Sequence, residues 1–259
     1  MLTSSIFWKS RIKASGIHLT ISLALAALAA LLVFAVWYPY PYREISGGRE
    51  LFLLVVAVDV IMGPLMTLAV FNLSKPRKEL RRDLAVIGVL QLAALAYGLW
   101  TVAVARPVHL VFEIDRFRVV HAVDIEPELL ARAPEGLRQL PLTGPTLLSV
   151  REFKNSTESF EATMAALQGA SLGARADFWQ SYEKAKPQIL ARVRPLAELK
   201  TRFPARAEEI DRALKSVSAT ARPSTSIAYI PLISRSTFWT VLLDASTTEV
   251  IAFVPIDSF

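Results

Sequence analysis

The sequence contains no cysteine and only three histidines in 259 residues. Disulfides, thiolate metal sites and cysteine nucleophiles are therefore excluded, because each of them requires a cysteine sulfur. The G-x-S-x-G turn of serine hydrolases, the phosphate-binding P-loop and the H-E-x-x-H helix of zinc proteases are also missing. These absences favour a protein that is not an enzyme, and they predict no catalytic residue, no metal site and no cofactor.

Positive charge is abundant, but it is unevenly distributed along the chain. The chain has a net charge of +6, and its first 105 residues contain ten lysines and arginines and five acidic residues. The remainder carries nineteen against eighteen and is nearly neutral. A nucleic-acid-binding domain would carry a basic stripe. The distribution therefore excludes nucleic acid as the expected partner and ties the charge to the apolar first part.

Three long apolar runs occupy that first part, at about 17–37, 51–73 and 84–105. Each has more than the ~20 residues that an α-helix needs to cross ~30 Å of hydrocarbon. The first run is too long for a cleavable signal peptide, and aromatic residues follow it in place of a small-residue cleavage site. We therefore predict a three-helix transmembrane anchor over residues 1–106 and a separate domain over 107–259.

Charges between the runs predict the orientation of this anchor. Lys9, Arg11 and Lys13 precede the first run, and the loop 74–83 carries five basic residues against two acids. The loop between the first and second runs is balanced. Because basic loops stay in the cytoplasm, we expect a cytoplasmic N-terminus and an extracytoplasmic C-terminal domain. The three helices of the anchor are expected to contact membrane lipid.

The C-terminal domain combines strands at both ends with helices between them. Runs 108–114 and 117–123 flank Asp115-Arg116 as a hairpin, and Asp244–Glu249 turns a second hairpin. Asn155 or Ser156 is expected to cap a helix through about residue 168. This order predicts an α+β fold with an antiparallel sheet. Further helices are expected over 127–132, 176–184, 187–199 and 204–217, further strands over 146–153 and 227–233, and a linker over 219–226.

Asp59 is the leading single candidate for a functional residue, since a carboxylate at mid-membrane is costly unless it pairs, protonates or faces a cavity. Gly63-Pro64 lies one turn later and would kink the helix or open its backbone. One hypothesis is a docking point for a partner's membrane helix, or a proton-linked site. The alternative is a structural carboxylate. Its candidate neighbours within the anchor are Gln91, Tyr97, His18 and Thr67.

Two further features lie where the anchor meets the domain. Arg106-Pro107 would stiffen the join and, together with the Asp115-Arg116 turn, forms a candidate interface hinge. His109 and His121 flank the same hairpin and would approach each other across it. Two histidines lack the three or four convergent ligands that a metal needs, so ordinary strand surface is the favoured interpretation.

Four segments, in order and at compatible spacing, resemble the type IV pilin accessory proteins of the TfpX/TfpZ type. They are Lys13–Leu19, Asp59–Thr67, Asp83–Gly98 and Ala105–Val119. The resemblance implies an inner-membrane protein with a periplasmic domain, which helps a major type IV pilin into the pilus as a chaperone or assembly modulator. Other inner-membrane components of pilus assembly are implied as further partners.

From this resemblance and the apolar runs we expect the bundle to pack a pilin helix, with close contact at Gly63, Gly88 and Gly98. Two alternatives stay open. One is a membrane-anchored periplasmic ligand-binding or sensor module, although the cytoplasmic segments are small for an output domain. The other is a pilin-modifying membrane enzyme, which usually has more spans and a metal or donor site.

Overall fold

The computed structural model describes residues 2–218, 226–235 and 237–259, with the backbone alone for 2–6 and 216–218. The predicted linker 219–226 falls, except for Ser226, outside the described residues. The chain forms two compact units, Met1–Ala105 and Arg106–Phe259. Each unit is described by itself below.

The described part of the first unit is mainly helical. Among the described residues, three helical stretches are long and apolar enough to cross a membrane, namely Phe7–Trp37, Gly48–Val70 and Arg77–Val104. The first begins well before the predicted residue 17, because the basic N-terminal segment continues the helix. The elements are α1 (Leu2–Leu31) with a π-helical end (Leu32–Trp37), α2 (Tyr42–Ile45), α3 (Gly48–Ala57), a π-helical turn (Val58–Met62), α4 (Gly63–Val70) and α5 (Arg77–Val104).

The second stretch is continuous in direction but widened in its middle. Pro64 has no amide hydrogen, and its ring would clash with the carbonyl of residue 60 in a regular α-helix. The helix widens into the π-helical turn Val58–Met62 immediately before this proline, and Pro64 then occupies the first turn of α4. Widened turns of this kind are common at functional sites. Asp59 lies inside the turn.

One end of the bundle is closed by a packed apolar cluster. Its buried members are Ala29, Val33, Tyr38, Phe52 and Val102. The Tyr38 hydroxyl donates to the carbonyl of Val102 over 3.2 Å. Gly48 packs directly on the Tyr38 ring, where any Cβ would overlap it. All three stretches therefore meet at this end.

The second unit contains one mixed sheet with short helices. Its elements are β1 (Pro107–Glu113), β2 (Arg116–His121), α6 (Pro127–Leu130), β3 (Thr146–Val150), α7 (Ser156–Leu167), β4 (Trp179–Ser181), α8 (Lys186–Leu190), β5 (Arg194–Pro195), α9 (Leu196–Arg202), α10 (Ala207–Ser218), β6 (Ile227–Ile233), β7 (Phe238–Asp244) and β8 (Val250–Val254). Described strands follow the order β4-β3-β1-β2-β6-β7-β8, and β5 also pairs with β6.

The prediction of an α+β fold is confirmed, but the prediction of an antiparallel sheet is wrong. β3 runs parallel to β1 and β6 runs parallel to β2, whereas the hairpins β1-β2, β6-β7 and β7-β8 are antiparallel. Both parallel pairs join strands that are separated by long connections. A connection of that length returns a strand in either direction, so composition alone did not distinguish the two.

Helix predictions in the middle of this unit are partly wrong. The expected helix 176–184 is two 3₁₀ turns, Ala176–Phe178 and Tyr182–Ala185, separated by β4. The expected helix 187–199 is divided into α8 and α9 by β5. The predicted cap is confirmed, since the Asn155 side chain accepts the amide hydrogen of Glu158 over 2.9 Å.

The apolar core of this unit lies on the sheet in two clusters. One joins strands β1, β2, β3 and β4 and includes Val111, Val120 and Trp179. The other joins α9 and α10 to β6, β7 and β8 and includes Tyr229 and Leu242. The strands of the sheet's centre are buried along most of their length, so its surface chemistry lies at turns and at strand ends.

Candidate functional site

A cleft of about 460 Å³ runs between α1 and α5 on the open half of the helical unit. The second helical stretch forms its floor. Its lining is almost wholly apolar and comes from three directions. The lining residues are Ala14, Ile17, His18, Ile21, Ser22, Leu25 and Ala26 from α1, Val56, Asp59, Thr67 and Phe71 from the floor, and Leu84, Gly88, Gln91, Leu92 and Leu95 from α5.

The walls of the cleft are not covered by other described residues of the helical unit. Ile17 and Ile21 are each 55% exposed, and Leu92 is 58% exposed, although all three line the cleft. A Cβ added at Gly88 would meet nothing within 4 Å. The bundle is therefore closed at the Tyr38 end and leaves a groove along the other half.

Asp59 lies on the floor of this groove, eleven residues from either end of Gly48–Val70 and so about 16 Å along the helix from each. The residue is 8% exposed. Its Oδ1 is buried and has no hydrogen-bond partner among the residues that the structure describes. An apolar setting without a compensating donor makes such a carboxylate costly. It is the polar feature of the groove that has no internal explanation.

Other polar groups near Asp59 are paired with something else. The amide nitrogen of Gln91 donates to the backbone oxygen of Asp59 over 3.0 Å. His18 Nδ1 and Thr67 Oγ1 are 2.5 Å apart. Ser15 donates to the carbonyl of Pro64 over 2.8 Å. The bond from Ser15 holds α1 against α4.

The structure brings together most, but not all, of the residues predicted for this site. Asp59, Thr67 and Gln91 line the groove, and Gly63 and Pro64 are buried beside it. Tyr97 is 69% exposed and lies against Trp100 with ring centroids 5.8 Å apart, so it is not a neighbour of the carboxylate. None of the four proposed internal partners is hydrogen-bonded to the carboxylate oxygen Oδ1.

The expectation for the three glycines needs a correction. A Cβ on Gly63 would overlap the Gln91 side chain, and one on Gly98 would come within 2.5 Å of Val55. Both glycines therefore permit close packing inside the bundle. Only Gly88 of the three faces open space, so only this position is available to an outside helix.

Two features of the groove were not predicted from the sequence. The π-helical turn that carries Asp59 was missed, since no sequence pattern distinguishes it from an ordinary proline kink. The α1 wall was also missed, although its signal is visible. Ala14, His18, Ser22 and Ala26 recur every four residues, which places them on one helix face, and all four line the groove.

The predicted hinge residues lie at opposite ends of the β1-β2 hairpin. Arg106 donates to the carbonyl of Pro141 over 3.3 Å, and Pro107 begins β1. Asp115 and Arg116 form a 2.7 Å ion pair at the turn. A seven-residue strand, about 23 Å long, separates the two pairs. They do not form a single site.

The two histidines of this hairpin do not approach each other as expected. Pairing places His109 opposite Val120 and His121 opposite Pro107, with an irregularity in between. His109 bonds Thr146 over 2.7 Å and packs edge-on against Trp179. His121 bonds Asp124 over 3.1 Å. Among the described residues, no group of three or more His, Asp or Glu side chains converges as metal ligands would.

Burial and pairing shift several ionisations in this unit. Burial lowers the pKa of His109 to about 4. Burial also raises the pKa of Glu113, although Arg118 at 2.7 Å and the amide of Gly173 at 2.7 Å oppose that shift. The pKa of Asp124 is held at about 2 by hydrogen bonds from His121 and Arg235, against burial.

A second cavity, of about 440 Å³, lies in this unit at the tip of β1. Phe112, Ile114, Phe153 and Leu172 supply apolar walls, and Gln188 and Arg192 supply polar edges. Ile114 is 61% exposed and has a φ of 55°. That conformation is unusual for a β-branched residue, and it results from the tight β1-β2 turn.

Comparison with known proteins gives one consistent result. A family model described as fimbrial assembly protein FimB matches residues 6–47. Over 249 residues, 95% of each chain, this chain is 38% identical to the fimbrial assembly protein of serogroup I from Dichelobacter nodosus and 37% identical to that of serogroup E1. A third relative, of serogroups C1 and C2, is 45% identical over 121 residues, covering 47% of this chain and 92% of its own. No solved structure gives a significant match.

Replacing Gly63 by Ala tests the packing beneath the groove. We expect Gly63→Ala to displace the Gln91 amide from the Asp59 carbonyl and to lower the unfolding free energy in detergent by about 1–3 kcal/mol. Gly88→Ala is the matched control and should be neutral, because its Cβ meets open space. In a Gln91→Ala background the cost of Gly63→Ala should shrink. Equal costs at both glycines would contradict this packing.

His109 predicts a pH dependence of stability. Its pKa is about 4 when folded and ~6.5 when unfolded, so the unfolded chain binds the proton first. Stability is therefore full above pH ~6.5 and falls as the pH drops toward 4, by on the order of 3 kcal/mol. Urea unfolding of the full chain in detergent, at several pH values, measures the loss. His109→Gln should remove most of this slope, and an unchanged slope in that variant would refute the assignment.

Proposed function

The chain belongs to the family of fimbrial assembly proteins, and from this premise we propose that it is an inner-membrane accessory protein of type IV pilus assembly. It acts as a chaperone or assembly modulator that holds the membrane helix of a pilin subunit before the subunit enters the pilus. It performs no catalytic step and uses no cofactor. Its partner is the major pilin, and other inner-membrane assembly components are further partners.

Charge supports the orientation. Basic residues precede the first span, and the segment 74–83 is rich in them, which is typical of cytoplasmic segments. In that segment Lys75 pairs with Asp83 at 2.7 Å, and the start of α5 adds further positive charge from Arg77, Lys78, Arg81 and Arg82. The second unit, which is nearly neutral, is then periplasmic, on the side where a pilin carries its globular head.

The groove between α1 and α5 is the observation that carries the proposal. A pilin waiting in the bilayer is an apolar helix that needs a protein surface distinct from lipid. Between helices in lipid, association relies on packing and on small residues that let backbones approach. Ala14, Ser22, Ala26 and Gly88 line the groove, and its walls are exposed over the half where the bundle is not closed.

Site-specific photocrosslinking in cells tests this role. Leu92 and Leu90 form a matched pair, because both lie on α5 and both are 58% exposed, but only Leu92 lines the groove. A benzophenone amino acid at Leu92 should capture the membrane segment of pilin several-fold more efficiently than the same amino acid at Leu90. Immunoblotting for pilin measures the yield. Equal yields at both positions, or none, would refute docking in the groove.

A second candidate function is a membrane-anchored ligand-binding module. It is favoured by the 440 Å³ cavity of the second unit, which is within the size range of small-molecule sites. Its mixed lining of aromatic side chains, an amide, a glutamate and two arginines suits a small amphipathic molecule. Under this function the cavity carries the activity and the helices are a tether.

Filling each cavity separately distinguishes the two functions. Ala191→Trp should occupy the second cavity, and Gly88→Trp should occupy the groove. The matched controls are Ala197→Trp and Val89→Trp, which replace exposed residues outside both cavities. If the accessory function is correct, only Gly88→Trp should reduce surface pili, by several-fold, in electron micrographs of a strain lacking the native copy. Loss of pili with Ala191→Trp alone would favour the ligand-binding module.

A further inference from the structure

The Asp59 carboxylate determines which chemistry the groove accepts. The groove is lined by aliphatic side chains along most of its length, and this carboxylate lies on its floor near the middle of the membrane. An uncompensated Asp at the centre of a membrane helix is costly. A bound group that donates a hydrogen bond would recover part of that cost.

Two groups close to Asp59 are paired with other atoms of the bundle. The Gln91 amide is turned to the backbone oxygen of Asp59, and His18 is paired with Thr67. Oδ1 of Asp59 has no partner among the described residues, although the residue is more than nine-tenths buried. Asp59 itself lines the groove, so a group bound there lies next to a carboxylate whose hydrogen-bonding capacity is not used up within the bundle.

The shape of the groove narrows the choice of occupant further. Its walls are two long helices, and the open position at Gly88 lies along the same face of α5 as Gln91 and Leu95. A helix packs against such walls when small residues allow its backbone to come close. A lipid acyl chain would fill the apolar part but would bring no donor to Asp59.

We propose that the groove binds an apolar transmembrane helix that places a hydrogen-bond donor, best a cationic group, against the Asp59 carboxylate. This inference rests on the proposed function, since it specifies the partner of the same groove. The carboxylate then fixes the depth and rotation of the bound helix, while the aliphatic walls supply contact area. A buried charge-assisted hydrogen bond is stronger than a neutral one, so selectivity follows from this single pair.

Model peptides test the inference with the full chain. Because the chain has no cysteine, Ala85→Cys provides one labelling site on α5 outside the groove. Labelled protein in lipid nanodiscs is titrated with 21-residue leucine-alanine helices that differ only in the central residue, which is Lys, Gln, Leu or Glu. Energy transfer reports binding. We expect the Lys peptide to bind about tenfold more tightly than the Leu peptide, with Gln between them and Glu weakest.

Variants of Asp59 complete the test. Asp59→Asn should reduce the preference for Lys over Leu to less than twofold, while Asp59→Glu should retain it. Thermal melting of each variant checks that the bundle is folded, and the Glu variant keeps the test valid if the Asn variant is unstable. A Lys preference that survives in Asp59→Asn would overturn the inference, because it would reflect general electrostatics.

The failure of this inference is distinguishable from that of the proposed function. Equal binding of all four peptides, together with pilin crosslinking at Leu92, would refute the role of Asp59 and leave docking in the groove intact. Equal signals that decline as lipid is added in excess would indicate crowding among lipids, and they too would refute it. Absence of both peptide binding and crosslinking would refute both proposals.

Discussion

A proline in the middle of a membrane-length helix is the constraint from which the helical unit follows. Pro64 lacks a backbone N–H donor, and its ring would clash with the preceding turn of a regular helix. The helix widens there into the π-helical turn Val58–Met62. Irregular backbone is tolerated at membrane depth only where protein groups satisfy it. Gln91 does so here by donating to the carbonyl of Asp59, while Ser15 joins α1 to α4 by donating to the carbonyl of Pro64. These hydrogen bonds hold Ser15 of α1 and Gln91 of α5 against the second helical stretch.

The second unit solves a different problem, namely how to keep charge inside a sheet. Glu113 is 5% exposed at the end of β1, and it is held by Arg118 on the adjacent strand and by the amide of Gly173. Breaking such a buried pair leaves an uncompensated charge, which costs more than the pair contributes. Gly173 is suited to this approach because a Cβ there would come within 3.0 Å of Glu113.

The sequence allowed the plan of both units to be predicted, but not the contacts that shape the site. Local signals were reliable: apolar length gave the three helices, and hairpin turns and the Asn155 cap were confirmed. The predicted antiparallel direction of the strands was wrong for β3 and β6, because long connections precede both strands and allow either direction. The prediction that Gly98 contacts an outside helix was wrong, because Val55 of the same bundle packs against this glycine. The sequence does not show which neighbouring side chain reaches a glycine.

The arrangement of the bundle explains why an unpaired carboxylate persists. At the Tyr38 end the three stretches share a packed cluster. The opposite half keeps a groove that its own side chains do not fill. A carboxylate in a closed bundle would have to be satisfied internally at all times. Under the proposed docking, a donor from the partner satisfies the carboxylate in the groove, and its cost in the empty state favours binding.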